Sequence, residues 1–172
     1  MPHVNVEIKA ACRDAQTVRR VLRDRAADFR GTDHQVDTYF CVAAGRLKLR
    51  EGNIENHLIW YERADEAGPK RADVLLLATE PGSAIKDILA HALGVRAVVD
   101  KHREIYFIGN VKFHLDEVTG LGRFVEIEAQ AAAGERTEAD LRAQCAQYLD
   151  LLGIREQDLV PSSYSDMVLS KS

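Results

Sequence analysis

Hydrophobic and polar residues alternate along most of this chain with a period of two, the pattern of β-strands that bury one face. In residues 3–10, the apolar positions are Val4, Val6, Ile8 and Ala10, and the intervening residues are Asn5, Glu7 and Lys9. The same alternation predicts further strands near residues 35–42, 46–51, 57–63, 73–80, 97–108, 111–118 and 123–130. The chain is therefore predicted to be rich in strands.

Helical spacing of apolar residues interrupts this pattern. A first helix is predicted after an N-cap at Asp14 and runs to about Ala27. A second follows the breaker sequence at residues 81–83 and stops at Gly94. Its apolar residues, all expected to face inward, are Ile85, Ile88, Leu89, Ala92 and Leu93.

A third helix is predicted near the C-terminus. It begins at Thr137, which has the spacing of a capping box with Asp140, and ends before Gly153. The tail is expected to dock through Tyr164, Met167 and Val168. About eight strands with about three helices predict an α+β fold, an eight-stranded antiparallel β-barrel with helices packed on the outside. We expect one domain over residues 1–172.

Composition limits the classes of function. The 172 residues carry 23 Lys and Arg against 27 Asp and Glu, a formal net charge of -4, and 46% are hydrophobic. Such a chain is globular and cannot hold a polyanion by bulk charge, so an anion site needs basic residues sorted onto one surface. The start of the chain lacks a signal-peptide pattern, and the three cysteines show no metal-ligand spacing. We expect a cytoplasmic protein.

The hairpin around Gly109 and Asn110 shows where the charged faces point. With these residues as a two-residue turn, Arg103 opposes Asp116 and Phe107 opposes Lys112 on one face. The other face pairs Tyr106 with Phe113 and Ile108 with Val111, and Ile105 opposes His114 on the charged side. Since the apolar face is the one that suits helix packing, the charged face should turn away from the helices.

The next hairpin places carboxylates on the same charged face. With residues 120–122 as a three-residue loop, Asp116 opposes Glu126, and Glu128 follows on that face. Three neighbouring carboxylates repel one another unless a cation lies among them. A divalent metal resolves this repulsion, and an all-oxygen ligand set favours Mg²⁺ or Mn²⁺.

Two more strands carry basic faces. Arg46, Lys48 and Arg50 share one face of their strand, and Tyr61 and Arg63 share one face of the next. If the charged faces meet inside the barrel, they line a tunnel with basic groups and carboxylates. Such a tunnel suits a metal-bound polyphosphate, with basic groups on the oxygens and carboxylates on the metal.

An ordered set of motifs covers nearly the whole chain: VEIK, GRLKLR, Tyr61 with Arg63, GPKRAD, KHR, KFHLDEV, LGRFVEIE and the SSYSD tail. In this order they resemble the CYTH family of triphosphate tunnel metalloenzymes, and within it the class IV adenylyl cyclases. The resemblance implies an eight-stranded antiparallel tunnel that binds triphosphates with Mg²⁺ or Mn²⁺. It implies a cyclase, a thiamine triphosphatase or a tripolyphosphatase, and its members are often dimeric.

The resemblance also implies roles for individual residues. The implied metal ligands are Glu7, Asp116, Glu126 and Glu128. The implied phosphate-binding residues are Lys9, Arg46, Lys48, Arg50, Arg63, Lys70, Lys101, Arg103 and Lys112. Of these, the residues expected to take part in catalysis are Lys9, Arg63, Lys70, Lys101 and Arg103. Lys70 is expected in a mobile loop that closes over the substrate.

One position departs from the family pattern. Asn5 stands where the E-x-E-x-K signature has its first glutamate, so a neutral amide replaces a carboxylate. The favoured hypothesis is a metal-dependent adenylyl cyclase that converts ATP to cyclic AMP and pyrophosphate. The alternatives are hydrolysis of tripolyphosphate, thiamine triphosphate or a nucleoside triphosphate, and binding without catalysis, which Asn5 favours. Carboxylates among the basic residues disfavour a nucleic-acid partner, no membrane partner is expected, and a homodimer fits the resemblance.

Overall fold

The strands close into a barrel, and helices pack against its outside. The computed structural model describes residues 3–132 and 134–172. In this part of the chain the strands are β1 (His3–Ala11), β2 (Asp28–Phe40), β3 (Arg46–Glu51), β4 (His57–Arg63), β5 (Lys70–Ala78), β6 (Val95–Ile108), β7 (Val111–Val118) and β8 (Gly122–Ala131). The helices are α1 (Ala15–Asp24), α2 (Ile85–Leu93), α3 (Glu138–Leu151) and α4 (Tyr164–Ser170).

The order of strands around the barrel is β1-β5-β4-β3-β2-β6-β7-β8, and β8 pairs with β1 to close it. Each neighbouring pair is antiparallel. The predicted α+β barrel with external helices is therefore confirmed. None of the helices in the described ranges is long and apolar enough to cross a membrane.

Two strands start earlier than the alternation predicts. β2 begins at Asp28 because its first residues pair with the end of β6, where Asp28 faces Phe107. β5 begins at Lys70, which lies opposite Glu7 of β1. In both strands, pairing to a neighbour extends the ladder into residues whose own pattern is polar.

The ends of the helices follow the predicted capping chemistry. The Asp14 carboxylate accepts hydrogen bonds from the backbone N–H groups of Gln16 and Thr17, both at 3.1 Å, and begins α1. Thr137 and Asp140 form the predicted capping box of α3. The predicted end of α1 at Ala27 is wrong, because Ala26 takes a left-handed φ of 53° and the helix stops at Asp24.

The prediction that the apolar residues of α2 all face inward is wrong. Ile88 is 62% exposed and Leu93 is 38% exposed. α2 contacts the barrel mainly at β2, so one helix side lies on the sheet while the other remains in solvent. The apolar residues of α2 recur with helical spacing as predicted, but no other element of the described chain packs against the outer side of this helix.

The main hydrophobic core lies outside the barrel wall, between the wall and two helices. The outward residues Val6, Phe113 and Ile127, which are 0% exposed, pack against α1 and α3. Leu22 of α1 and Leu141 of α3, each 1% exposed, complete this layer. Tyr106 faces Phe113 across the β6–β7 pair as predicted, so the charged faces of these strands point into the barrel.

The β7–β8 hairpin has a different register from the prediction. Its loop is residues 119–121 rather than 120–122, with Val118 opposite Gly122. Gly122 takes a positive φ of 107° as the first residue of β8, which lets pairing begin one residue earlier. Asp116 therefore faces Phe124, and Glu126 faces His114. The parity is unchanged, so the carboxylates still point inward.

The C-terminal helix closes one end of the barrel. Tyr164, the first residue of α4, is 4% exposed, and its ring lies 5.2 Å from that of Phe124. Its hydroxyl donates a 2.6 Å hydrogen bond to Asp116 Oδ2. Met167 and Val168 are partly buried beside it, so the predicted docking of the tail is confirmed.

Candidate functional site

The barrel encloses a cavity whose lining is densely charged. Its basic lining residues in the described chain are Lys9, Lys48, Arg50, Arg63, Arg103 and Lys112. Its acidic lining residues are Glu7, Glu55, Glu126 and Glu128. Ser163 and Tyr164 line the end that α4 closes, whereas Leu76 and Gln130 line the opposite end, which we call the open end. Antiparallel pairing brings this charge inside, because alternate residues of each strand face the barrel axis.

Three of the lining carboxylates lie on two neighbouring strands. Glu7 of β1 and Glu128 of β8 are directly opposite each other, and Glu126 is the next inward residue of β8. Asn5, opposite Gln130, donates a 2.7 Å hydrogen bond from Nδ2 to Glu128 Oε1. The signature has a carboxylate at position 5, whereas this chain has an amide there that hydrogen-bonds the Glu128 carboxylate.

Basic side chains sit among these carboxylates at the closed end. The Lys9 Nζ atom lies 3.7 Å from Glu126 Oε1 and 3.7 Å from the centre of the Tyr164 ring. Arg63 pairs with Glu7, and Arg103 Nη2 lies 3.4 Å from Glu126 Oε1. Burial alone would raise the pKa of Glu126, but Arg103 and Lys9 hold it well below the usual value. Glu126 is therefore ionised.

Two buried polar atoms at this end of the cavity lack a partner. Within residues 3–132 and 134–172, neither Arg63 Nε nor His114 Nε2 has a hydrogen-bond partner. Both residues line the cavity. The other ring nitrogen of His114, Nδ1, lies 3.5 Å from Glu126 Oε2. Because unpaired buried polar groups cost free energy, these two atoms indicate a place for a polar ligand.

Asp116 lies behind Arg103 and is outside the cavity lining. Its two oxygens accept hydrogen bonds from Arg103 Nε and Nη2, both at 2.6 Å, and Oδ2 also accepts from Tyr164. This bidentate pair fixes the Arg103 guanidinium. Asp116 thus shares the carboxylate face predicted for it, but its oxygens contact Arg103 and Tyr164.

Lys101 is also removed from the cavity. It is 0% exposed, and its Nζ donates a 2.8 Å hydrogen bond to Asp37 Oδ2. Asp37 in turn accepts two 2.9 Å hydrogen bonds from Arg50 and lies 3.0 Å from Lys48. Burial lowers the pKa of Lys101 to about 7, although Asp37 opposes the shift. Lys101 therefore contacts Asp37, which in turn contacts the cavity residues Arg50 and Lys48.

Two more predicted phosphate-binding residues lie near the closed end, away from the cavity lining. Arg46 Nη2 donates to Asp166 at 2.8 Å and to Asp65 at 3.1 Å. The prediction of Lys70 in a mobile loop is wrong: it is the first residue of β5, is 1% exposed, and donates to the Pro161 carbonyl at 2.8 Å. Pairing with β1 draws it into the sheet. Burial, together with nearby Arg63 and Lys9, lowers the pKa of Lys70 to about 8.

Sequence reasoning missed two carboxylates that govern the site. Asp37 alternates with Gln35 and Tyr39 on the inner face of β2, so periodicity could have identified it. Glu55 lies in the β3–β4 loop, where no periodic signal exists. It lines the cavity and pairs with Lys112, with Arg50 at 3.2 Å.

The donor chemistry fits a hard divalent cation. Glu7, Glu126 and Glu128 provide carboxylate oxygens on one inner surface, which suits Mg²⁺ or Mn²⁺ better than Zn²⁺. Within the part of the chain that is described, no three His, Cys, Asp or Glu residues are already grouped as a metal site. Each carboxylate instead contacts a basic or amide group, so a bound cation would replace such contacts.

The fold and the cavity define a β-barrel protein with a charged interior cavity. The CYTH domain family model matches residues 3–164. Because that match spans nearly the whole chain, the protein belongs to the CYTH domain family. None of the curated proteins matches it.

Three solved structures with the same fold cover 94% to 98% of this chain. The PH1012 protein of Pyrococcus horikoshii is 24% identical with a TM-score of 0.80, over 94% of this chain and 98% of that one. A "putative adenylate cyclase" of Vibrio parahaemolyticus is 20% identical with a TM-score of 0.78, over 98% and 99%. HpAC1 of Hippeastrum, a "putative adenylyl cyclase" with a dominant triphosphatase activity, is 15% identical with a TM-score of 0.60, over 98% and 95%. At these identities the likeness concerns the fold.

Proposed function

We propose that this protein is a metal-dependent enzyme that acts on a triphosphate bound in the barrel cavity, with conversion of ATP to cyclic AMP and pyrophosphate as its preferred reaction. The observation that carries the proposal is the buried Arg63 Nε, which has no hydrogen-bond partner among residues 3–132 and 134–172 and lies in a cavity lined with basic groups. Phosphate oxygens accept hydrogen bonds from guanidinium groups, so an oxygen-rich anion would satisfy Arg63 Nε. His114 Nε2 is instead an acceptor, because Nδ1 faces the Glu126 carboxylate, and it suits a water molecule or a ligand hydroxyl. CYTH membership supports the triphosphate class.

The buried basic residues hold the phosphates in place. Lys9, Arg63 and Arg103 converge near the closed end, and Asp116 fixes the orientation of Arg103 before any ligand arrives. In a site shielded from water, such preorganised charges stabilise developing negative charge strongly. Lys101 contributes indirectly. It contacts Asp37, and Asp37 positions two further basic residues of the cavity, Arg50 and Lys48.

Glu7, Glu126 and Glu128 would hold the Mg²⁺ or Mn²⁺ that the family implies. A divalent cation at phosphate oxygens neutralises their charge during phosphoryl transfer. Asp116 is not needed for this role in our proposal, since it binds Arg103 and Tyr164.

Cyclisation is mostly a matter of positioning. The ribose 3′ hydroxyl must attack the α-phosphorus in line and release its proton to solvent, while the bond to pyrophosphate breaks and pyrophosphate leaves against the basic wall. Lys9, Arg63 and Arg103 bind the leaving phosphates, and the barrel holds the bent nucleotide in one place. Further positive charge next to the phosphates comes from the other basic residues that line the cavity.

Hydrolysis of a triphosphate is the second candidate. His114 Nε2 has no partner among the described residues, and with Nδ1 facing Glu126 it can accept a hydrogen bond from a water molecule. The structural likeness to HpAC1, which has a dominant triphosphatase activity, agrees with this reading. Binding without turnover is favoured by the Asn5 to Glu128 hydrogen bond, because that amide occupies one carboxylate oxygen.

Product analysis separates these candidates. The purified protein is incubated with ATP, tripolyphosphate or thiamine triphosphate, each with Mg²⁺ or Mn²⁺, and the products are identified by phosphorus NMR. Cyclic AMP and pyrophosphate are expected. Release of orthophosphate would show that the protein is a triphosphate hydrolase and not a cyclase. Tight binding without any product would show that it binds the triphosphate without turnover.

Matched variants test the role of the carboxylates. Replacing both Glu126→Gln and Glu128→Gln should abolish metal-dependent turnover, because the proposed ligand set loses two charges. Glu117→Gln, on the exposed outer face of β7, is the control and should leave turnover unchanged. Full activity in the double variant would refute the proposed site.

A further inference from the structure

Arginines are concentrated on one segment of the chain, from just before α1 to the start of β2. Residues 13–30 contain six Arg and three Asp, so this segment is net positive in a chain whose formal net charge is -4. Two of the six arginines have partners elsewhere in the fold, since Arg13 pairs with Asp158 and Arg19 with Glu104. The other four are candidates for contacts outside the chain.

These four arginines are exposed to solvent. Arg20, Arg23 and Arg25 have no carboxylate oxygen of the described chain within 4.0 Å of their side-chain nitrogens. Arg30 pairs only with the exposed Asp28, at 2.7 Å. Cations near the C-terminus of a helix interact favourably with the helix dipole, so the fold tolerates their crowding. The positive charge of this surface is therefore left largely uncompensated by the described chain.

An exposed aromatic residue adjoins the arginines. Phe29 is 52% exposed, and the centre of its ring lies 4.8 Å from that of Tyr106. Burial raises the pKa of Tyr106, and the nearby Arg23 opposes that rise, so Arg23 and Phe29 lie around the same residue. Arginine and aromatic residues are enriched among the side chains that contribute most to binding at protein interfaces.

The backbone on both sides of Phe29 is irregular. Ala26 takes a left-handed φ of 53°, which costs free energy in a residue other than glycine. The pairing of β2 with β6 has a bulge between Phe29 and Gly31, which leaves Arg30 as the extra residue. Bulges of this kind redirect side chains at the edges of functional surfaces. The two irregularities flank the segment that carries Phe29 and Arg30.

We propose that this surface, which we call the arginine surface, binds a short acidic segment of a partner protein. Its residues are Arg20, Arg23, Arg25, Phe29 and Arg30. Guanidinium groups pair with carboxylates, and Phe29 offers apolar area to a side chain of the same segment. This role is separate from the barrel cavity and does not depend on the ligand of that cavity.

The size of the arginine surface favours a peptide over a nucleic acid. The free arginines of α1 span only about 8 Å along the helix axis. The rest of the chain is net negative. A short acidic peptide ends within such a surface, whereas a nucleic acid continues its charge onto surroundings that repel it.

Fluorescence anisotropy with labelled synthetic peptides tests the inference. At low salt the protein should bind a peptide that repeats Glu-Glu-Leu, and it should not bind the matched peptide that repeats Gln-Gln-Leu. Added NaCl should weaken the complex, because exposed charges are screened by salt. Absence of binding to the acidic peptide at low salt, or equal binding of both peptides, would overturn the proposal.

Charge reversal locates the binding surface. The double variant Arg23→Glu with Arg25→Glu should lower the affinity for the acidic peptide at least about tenfold. The matched control, Arg71→Glu with Lys86→Glu, reverses two exposed cations on β5 and α2 and should keep the affinity of the parent. The same loss in both double variants would show that net charge alone attracts the peptide, and the proposal would be wrong.

Two further measurements test the chemistry of the partner. Phe29→Ser should weaken the Glu-Glu-Leu peptide about threefold and leave a Glu-Glu-Ser peptide unchanged. An equal effect on both peptides would refute the apolar contact with Phe29. A labelled single-stranded oligonucleotide separates the classes of partner. If it binds more tightly than the acidic peptide and loses that affinity in the Arg23→Glu, Arg25→Glu variant, the surface binds nucleic acid and the proposal is refuted.

Discussion

Two arcs of the barrel contain strands with the same alternation but have opposite surroundings. The first, the covered arc, comprises β1, β7 and β8, whose outer residues Val6, Phe113 and Ile127 are 0% exposed beneath α1 and α3. The second, the open arc, comprises β3, β4 and β5, where Leu75 and Leu77 on the outer face are 46% and 58% exposed. Alternation defines two faces, but only the neighbouring layer decides which face is buried.

The inner faces differ as well. The covered arc turns carboxylates and basic residues into the cavity, including Glu7, Glu126 and Glu128. The open arc also contributes the basic residues Lys48, Arg50 and Arg63, but it supplies no carboxylate from its strands and adds the apolar residues Ile59, Val74 and Leu76 near the open end. Stability should therefore depend most on the outer face of the covered arc, and ligand preference on the inner faces of both.

The largest expected effect compares core residues of the two arcs. Phe113→Ala should lower the free energy of unfolding by about 3–5 kcal/mol, because it opens a cavity against Tyr148 of α3. Leu77→Ala should change it by less than about 0.5 kcal/mol, because its side chain is already in solvent. Urea unfolding measures both. Equal losses would mean that something covers the open arc.

The next effect concerns the charge network between the arcs. Asp37→Asn keeps the shape but removes the negative charge that faces Arg50, Lys101 and Lys48. Because those cations remain buried, the free energy of unfolding should fall by about 3 kcal/mol. Glu51→Gln is the control on the outer face. A neutral outcome for Asp37→Asn would show that the cations find other partners.

A smaller change should sharpen the metal proposal. Asn5→Glu adds a carboxylate beside Glu128 and should raise Mn²⁺ affinity roughly tenfold. Without metal the same variant should melt at a lower temperature than the parent, because like charges then adjoin. Asn5→Gln keeps the amide and serves as the control. If the Mn²⁺-dependent gain in Tm is identical in all three proteins, Asn5 does not border the metal site.

The smallest effect concerns the closed end. Tyr164→Phe removes the hydroxyl that donates to Asp116 and should cost about 1 kcal/mol of stability. The packing of the ring against Phe124 remains. Thermal unfolding of the variant checks this value. A loss several times larger would show that the hydroxyl organises the whole Arg103 and Asp116 pair.

The barrel could be predicted from the sequence because the inward faces of its strands are unusually polar. The pairing of Arg103 with Asp116 and of Phe107 with Lys112 follows from the turn at Gly109, and the structure has both pairs. The β7–β8 register was wrong because two glycines compete for the same loop. The predicted inward and outward faces were nevertheless right. The register differs by two residues, Asp116 facing Phe124 instead of Glu126, and a shift of two keeps every side chain on the same face.

The remainder of the site could not be predicted from local pattern. Lys101 and Lys48 lie on predicted inner faces, yet only the tertiary structure shows that Asp37 binds both. Glu55 reaches the cavity from a loop, positioned by Asp33 at a distance of 22 residues along the chain. Periodicity tells which way a side chain points, whereas its partner depends on how the strands are ordered around the barrel.

The most direct test of the central claim is a calorimetric titration of ATP with Mg²⁺ into the parent protein and two arginine variants. Arg63→Gln alters the buried cavity residue, and Arg71→Gln alters an outer-face arginine of β5 that is paired with Asp73. We predict binding by the parent, at least a roughly tenfold loss in Arg63→Gln, and no change in Arg71→Gln. Absence of binding by the parent, or the same loss in both variants, would contradict a triphosphate site inside the barrel.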